Sequence, residues 1–305
     1  MNAAAQISPD WVAVDWGTSH LRAWAMDPSS HVLAERRSDR GMGTLGRDAF
    51  EATLLQVIAP WLGSAPLTVV ACGMLGSRQG WVEAPYRSVP CTPGSAKLVR
   101  APVTDRRVQV FVASGLRQDA QPDVMRGEET QIAGFLAGNP GFEGIVCLPG
   151  THTKWAEVSA NEVVSFRTIM TGELFALLTR NSVLQHSVDQ DWDPVAFDEA
   201  VADALSSPER VAQRLFSVRA TDLLVGLAPG EGAARISGAL IGMELAATRA
   251  YWLGRPIAVV GGDAADRTYM PALRAQGLSP VFCDADVAVR AGLADAHVAL
   301  ERPVA

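Results

Sequence analysis

Residues 15–22, Asp-Trp-Gly-Thr-Ser-His-Leu-Arg, bring a carboxylate, two hydroxyls, a glycine and a guanidinium close together in the chain. The chemistry they suit is phosphate handling. Backbone N–H groups and the hydroxyls of Thr18 and Ser19 can donate to phosphate oxygens, and Gly17 has no Cβ to keep a phosphate away. Asp15 stands where a metal could be held through water. Arg22 can add positive charge to the same phosphate. An ordinary hairpin with an exposed Asp and Arg is the plainer alternative. A second small polar turn occurs at residues 149–154, Pro-Gly-Thr-His-Thr-Lys. Glu128 and Glu129 are adjacent acids, and a hydroxyl nucleophile needs a carboxylate within hydrogen-bond reach as its base. The acids would also be favoured at a helix start by the helix dipole alone. Residues 73–87 carry Arg78, Gln79, Trp81, Glu83 and Tyr86 among glycines and a proline. Rings and hydrogen-bonding groups in one loop can hold a polyhydroxy acid, with arginine taking a carboxylate. A surface loop with incidental aromatics explains the same composition.

The elements that must position these groups read as follows. Residues 11–15 and 21–26 are apolar runs on either side of the first turn, a β-hairpin pattern. A third strand over 31–36 follows the turn sequence Asp27-Pro28-Ser29-Ser30. Three antiparallel strands in succession argue against a Rossmann opening. Residues 41–46 spell G-x-G-x-x-G, but polar residues precede them instead of a buried strand, so the dinucleotide-binding context is missing. A glycine-rich loop at a cleft, or a plain connection, fits better. Helical spacing covers 48–61, and 67–72 and 108–113 read as strands. A helix runs over 128–136. Strands over 144–148, 155–159 and 163–167 then surround the second turn, so strand, small polar turn, strand occurs twice. Residues 170–180 form a helix with Thr171 as N-cap, and 194–205 and 209–227 are helical. A long helix over 231–252 repeats Gly238, Gly242 and Ala246 on one stripe, which lets another helix cross closely. A strand over 256–260 ends at Gly261 and Gly262, where a flat base could lie against backbone at the carboxyl end of the strand. A helix over 264–275, a strand over 281–283 and a helix over 285–299 finish the chain.

Composition narrows the class. The chain has 305 residues, 48% hydrophobic and 19% charged, with a net charge of -7. That length supports a sizeable core and favours two domains. An acidic chain with no basic cluster is a poor nucleic-acid binder. The four cysteines are scattered without metal spacing, as expected of reduced thiols in a cytoplasmic protein. Residues 1–10 lack the pattern of a signal peptide, and no apolar run is long enough to span a membrane.

The order of motifs resembles the sugar kinases of the actin/hexokinase/Hsp70 superfamily. Residues 15–23 resemble the first phosphate motif, Asp-x-Gly-Thr-Thr/Ser followed by Arg. Gly150, Thr151 and Thr153 match the second, with Lys154 following, and Gly261-Gly262 resembles the adenosine motif. Within the superfamily, residues 80–86, 126–131, 148–155, 170–174 and 261–263 make the chain similar to the 2-dehydro-3-deoxygalactonokinase family. The resemblance implies an α/β fold of two ribonuclease-H-like domains, residues 1–137 and 138–305, with mixed sheets facing across a cleft and the last helix free to return to the first domain. It implies ATP-dependent phosphorylation of the 6-hydroxyl of 2-dehydro-3-deoxy-D-galactonate in galactonate breakdown. It also implies Mg2+ near Asp15 and Glu129, or else Glu128, as the base. Glu129 is the closer match to the catalytic Glu of exopolyphosphatase-like members. Arg78, Gln79, Trp81, Glu83 and Tyr86 would hold the sugar acid, and triphosphate would lie between the two hairpins. Small-molecule substrate is the partner expected, with a homodimer as the self-association considered. One departure stands out: Cys147 occupies the place where the superfamily usually has an Asp. The alternatives are an exopolyphosphatase-like phosphohydrolase and a non-enzymatic nucleotide-binding sugar sensor.

Overall fold

The computed structural model describes residues 7–94 and 98–301, so most of the segment read for a leader lies outside the described residues. The chain divides into two compact units: Met1–Phe142 with Ala160–Val164 and Ala285–Ala305, and Glu143–Ser159 with Ser165–Asp284.

The first unit opens with β1 (Trp11–Trp16), β2 (Leu21–Met26) and β3 (Val32–Ser38), followed by α1 (Phe50–Ile58) and β4 (Leu67–Gly73). Then come β5 (Arg87–Ser88), β6 (Leu98–Arg100), β7 (Val108–Ala113), β8 (Leu116–Gln118), β9 (Asp123–Met125) and α2 (Glu128–Gly138). Its main sheet has the order β3-β2-β1-β4-β7-β6. β1 pairs antiparallel with β2 and parallel with β4. Because β1 is central, Trp11 to Val14 are fully buried on both faces, which is why the run is continuously apolar. The short strands β5, β8 and β9 form a separate small sheet.

The second unit contains β10 (Gly144–Leu148), β11 (Thr153–Ser159), β12 (Glu162–Ile169), α3 (Thr171–Asn181), α4 (Pro194–Ser206), α5 (Val211–Leu224) and α6 (Glu231–Ala247). α7 (Arg249–Trp252), β13 (Ile257–Gly261), α8 (Asp263–Arg274) and β14 (Val281–Asp284) complete it, and α9 (Ala285–Glu301) belongs to the first unit. Its sheet order is β12-β11-β10-β13-β14. Taken in chain order within each unit, the first four strands of both sheets follow the same arrangement, 3-2-1-4, and a further strand, β7 or β14, pairs parallel with the fourth. The duplicated hairpin pattern therefore reflects a duplicated sheet.

Two expected helices are shorter than their sequence pattern. The span 231–252 breaks at Thr248, whose hydroxyl bonds the Glu244 carbonyl and whose backbone leaves the helix. The span 209–227 begins with a single turn at Pro208–Arg210 before α5 and ends at Leu224. Thr171 is the first residue of α3, not its N-cap; its hydroxyl points to a buried carboxylate described below.

The small-residue stripe of α6 meets α4. A Cβ added at Gly238 would lie 2.5 Å from the Phe197 carbonyl, and one at Gly242 2.5 Å from that of Val201. A second crossing joins α2 to α9, where a Cβ on Gly134 would sit 1.8 Å from the Ala288 carbonyl. Gly134→Ala is expected to cost about 1–3 kcal/mol of unfolding free energy through overpacking. Gly138→Ala at the open end of α2 meets nothing within 4 Å and is expected to add about 0.4–1 kcal/mol. Urea denaturation of both variants checks the contrast.

Candidate active site

The first hairpin turn, residues 17–20, is held from behind by the loop that carries the unassigned glycine pattern. Gly41 N–H donates to the Ser19 carbonyl at 3.2 Å, Met42 N–H to Gly17 at 3.0 Å and Gly43 N–H to Thr18 at 2.9 Å. A trans peptide sets each N–H opposite the preceding carbonyl. With those three carbonyls aimed at residues 41–43, the N–H groups of Thr18, Ser19 and His20 point to the opposite side, which makes an anion-binding concavity. Gly41 permits this contact, because a Cβ there would lie 2.2 Å from the Thr18 carbonyl oxygen. Thr18 and Ser19 are exposed on the turn.

Asp15 and Arg22 are cross-strand partners and form an ion pair. Arg22 also pairs with Asp286, near the start of α9, and Asp286 accepts from Arg37 at 3.2 Å. Arg22 is therefore held between two carboxylates, one of them 264 residues away in sequence. The other oxygen of Asp15 lies 3.9 Å from the Cys72 sulfur at the end of β4. The Cys72 thiol is pushed well up, first by burial and then by the charges of Asp15 and Glu129. Both carboxylates thus act on one buried sulfur.

Glu129 is 1% exposed. Its Oε2 accepts the Gly127 N–H at 2.7 Å and its Oε1 the Thr130 hydroxyl at 3.0 Å. Burial, followed by the charge of Glu128, raises its carboxyl to about 7. Glu128 is half-buried and accepts the Arg126 N–H at 2.9 Å. Of the adjacent acids, Glu129 is the one shifted toward neutral pH, where a carboxyl can both hold and release a proton.

The 73–87 segment separates into core and surface. Arg78, Gln79, Glu83 and Tyr86 are exposed. Trp81 is a core side chain, contrary to its expected place among the sugar-acid ligands. It is 6% exposed, stacks on Phe50 and donates its indole N–H to the Pro102 carbonyl at 3.2 Å. A large ring gains more from that burial than from standing in solvent.

In the second unit, the turn at residues 149–152 is also supported from behind. Glu173 N–H donates to the Thr151 carbonyl at 2.9 Å, and Gly172 approaches so closely that a Cβ would be 2.2 Å from the Gly150 carbonyl. Thr151 remains exposed. Thr153, expected to donate to phosphate, is instead fully buried, with its hydroxyl 2.9 Å from that of Tyr269. β11 begins at Thr153, and the pleat turns its side chain into the core. Lys154 is 5% exposed and donates to the Thr168 hydroxyl at 2.8 Å.

The network behind Thr153 centres on Glu244, which sequence reading does not single out. Its carboxylate accepts from Trp155 Nε1 at 2.7 Å, from the Tyr269 hydroxyl at 2.8 Å and from the Thr171 hydroxyl. Burial raises its pKa and these donors oppose the shift. Trp155 is the register partner of Cys147, so the position lacking the expected Asp backs onto this carboxylate network. Glu244→Ala strands three buried donors and is expected to cost about 3 kcal/mol or more. Glu244→Gln, which keeps acceptor capacity, is expected to cost less. Thermal unfolding of the pair measures the difference.

A cavity of about 600 Å³ opens beside this network, lined by Gly150, Gly172, Ser237, Gly262, Thr268 and Tyr269 among others. Its size lies in the ordinary range for small-molecule sites. The second turn and the glycine pair share this cavity through Gly150 and Gly262. Gly261 packs against Ala265, itself a lining residue of the cavity; a Cβ at Gly261 would lie 2.5 Å from that of Ala265.

Repeated sheets, each led by a hairpin with a braced polar turn, define an actin-like ATPase fold with ribonuclease-H-like sheets. An activator of 2-hydroxyisocaproyl-CoA dehydratase from Clostridium difficile, solved with bound ADPNP, shares this fold at a TM-score of 0.53 and 13% identity, over 97% of this chain and 99% of that one. The chain belongs to the 2-keto-3-deoxy-galactonokinase family, whose model matches residues 15–296. It is 39% identical over 297 residues to a protein of Rhizobium meliloti (strain 1021) named a probable 2-dehydro-3-deoxygalactonokinase, covering 95% of this chain and 97% of that one. It is 34% identical over 287 residues to the 2-dehydro-3-deoxygalactonokinase of Escherichia coli (strain K12), covering 93% and 96%. A crystal structure assigned to the same enzyme from Sinorhizobium meliloti superposes with a TM-score of 0.86 over 97% of this chain and 98% of that one. Among the described residues, no helix is long and apolar enough to cross a membrane.

Proposed function

We propose that this chain is a cytoplasmic kinase that transfers the γ-phosphoryl group of ATP to the 6-hydroxyl of 2-dehydro-3-deoxy-D-galactonate. The observation that carries the reading is Glu129: a fully buried carboxyl, raised to about 7, at the start of a helix in a chain of this family. Transfer to a sugar hydroxyl asks for a base of that kind, whereas most of the remaining catalysis is positioning and charge neutralisation.

In this reading the second unit takes the nucleoside in the cavity floored by Gly262, with phosphates toward Gly150 and Thr151. In the first unit, the N–H groups of Thr18, Ser19 and His20, with the Thr18 and Ser19 hydroxyls, take phosphate oxygens. Arg22 is oriented by Asp15 and Asp286 and lends its charge from there. Glu129 accepts the proton of the attacking hydroxyl. Glu83, Tyr86, Arg78 and Gln79 face the sugar acid.

Magnesium is tested by the donor set. No group of three or more His, Cys, Asp or Glu side chains that could hold a metal occurs among the described residues. One partly buried carboxylate, Asp15, suits an ion that keeps most of its water and takes its other ligands from phosphate. Asp15 would hold it, and the ion would supply charge neutralisation on the β- and γ-phosphates.

A coupled ADP-release assay over a panel of sugar acids and neutral sugars tests the assignment. Turnover of 2-dehydro-3-deoxy-D-galactonate with little on neutral hexoses is expected. Activity on neutral hexoses alone, or phosphate release from polyphosphate without any sugar acid, overturns it.

A further inference from the structure

Arg126 is an anomaly among the arginines of the first unit. It is 8% exposed, yet no carboxylate lies within ion-pairing distance of it among the described residues. Among the described residues its guanidinium makes one hydrogen bond, from Nη2 to the Ala84 carbonyl at 2.8 Å. Nε and Nη1 are buried and have no acceptor. The guanidinium lies under the Tyr86 ring, 4.3 Å from its centroid. Gly76 lets the guanidinium sit against the backbone, since a Cβ there would come within 2.9 Å of Nη1. A full charge removed from water without a counter-charge costs several kcal/mol. Structural arginines avoid that cost by pairing, as Arg219 does with Asp222 and Arg255 with Glu157. A buried, unpaired guanidinium is the arrangement expected where the counter-charge arrives with a ligand.

Several features identify that ligand's chemistry. Arg126 bonds Ala84 and stacks on Tyr86, so it belongs to the loop of exposed polar side chains and not to the phosphate turn. It is also tied by its own N–H to Glu128 and stands three residues before Glu129. Its cover, Tyr86, is 37% exposed, so a single partly exposed ring stacks on the guanidinium. A planar fork of N–H donors matches a carboxylate. We propose that Arg126 is the receptor for the substrate's carboxylate and the residue that selects sugar acids over neutral sugars; this rests on the kinase reading above. Arg78, the arginine that sequence order favours for the task, is solvent-exposed and would bind an anion far less strongly.

The test is kinetic and thermal. Arg126→Met keeps the bulk of the side chain and removes the charge. It is expected to raise KM for the sugar acid by about 10²-fold, the worth of charge-assisted hydrogen bonds, with KM for ATP within about twofold of the parent. It is expected to abolish the parent's preference for the acid over the corresponding uncharged amide. Its unfolding midpoint without ligand is expected to stay level or rise, because an unpaired buried charge has been removed. Arg126→Lys, which keeps charge without the fork, is expected to fall between the two in KM. An Arg126→Met enzyme that retains KM for the acid within about threefold and still prefers acid to amide overturns the proposal. So does a lowered midpoint with both KM values raised together, which marks a structural arginine. If the parent enzyme phosphorylates no sugar acid, the kinase reading itself falls and this role falls with it.

Discussion

Glu129→Gln is expected to lower kcat by about 10²- to 10⁴-fold and, at pH 8, to make the protein more stable. Both effects come from the same burial. Burial raises the Glu129 carboxyl to about 7 in the folded protein, against 4.5 for a solvated glutamate. Between those values the folded protein retains a proton that the unfolded chain has released. The stability associated with this proton is fully present below about pH 4.5 and is lost as pH rises through about 7. Fully ionised, the group costs the fold about 3 kcal/mol. A glutamine keeps acceptor capacity for the Gly127 N–H and the Thr130 hydroxyl and never ionises. The parent's unfolding midpoint should therefore fall between pH 5 and 8 more steeply than that of the variant. The parent's kcat/KM should rise with pH through an apparent pKa near 7, since the base must be free of its proton. Glu128→Gln removes the neighbouring charge that helps raise Glu129, so its profile should shift to lower pH with kcat largely kept. A kcat loss confined to Glu128→Gln would reverse the assignment of the base.

What the sequence makes legible follows from how far each signal reaches. The two hairpins are visible because an apolar run, a small polar turn and a second strand-forming run are local, and the duplicated sheets follow from seeing the pattern twice. Glu128 and Glu129 are visible as a pair, but only burial distinguishes them, and burial is a property of the packed helix. Trp81 misleads because a ring in a Gly- and Pro-rich segment looks available until Phe50 and Pro102 close over it. Thr153 misleads by a register effect: it follows the turn in sequence, yet the first pleat of β11 turns it inward toward Tyr269. Asp286 and Glu244 leave no local trace, since their partners are brought to them by the return of α9 and by the packing of α6. The glycines at 41 and 43 show the converse. Their spacing has no dinucleotide context, and their use is to brace the first hairpin turn from behind.

Asp15→Ala is the second large effect, and its two readouts should move apart. Turnover is expected to fall by about 10³-fold or more, the scale set by losing a preorganised charge at a transferring group. ATP binding in the absence of magnesium is expected to hold or tighten. The reason lies in the charges around the first turn. Asp15, Asp286 and Glu35 together surround Arg22 and Arg37, three carboxylates against two guanidinium groups. Without Asp15 the group loses its one net negative charge next to the N–H concavity of residues 18–20, which favours a polyphosphate. The same deletion removes the carboxylate proposed to hold the metal's water shell, so phosphates would bind without being positioned for transfer. The fold should persist, because Arg22 keeps Asp286 as its partner and Asp15 lies at the end of β1, outside the run of fully buried residues at 11–14. Asp286→Asn separates orientation of Arg22 from metal holding. It leaves Asp15 in place, so it should cost less turnover than Asp15→Ala at saturating magnesium. Calorimetric titration with ATP, with and without magnesium, alongside single-turnover rates distinguishes the two variants. Equal losses in both would mean that Arg22, and not the metal, is the group that Asp15 serves.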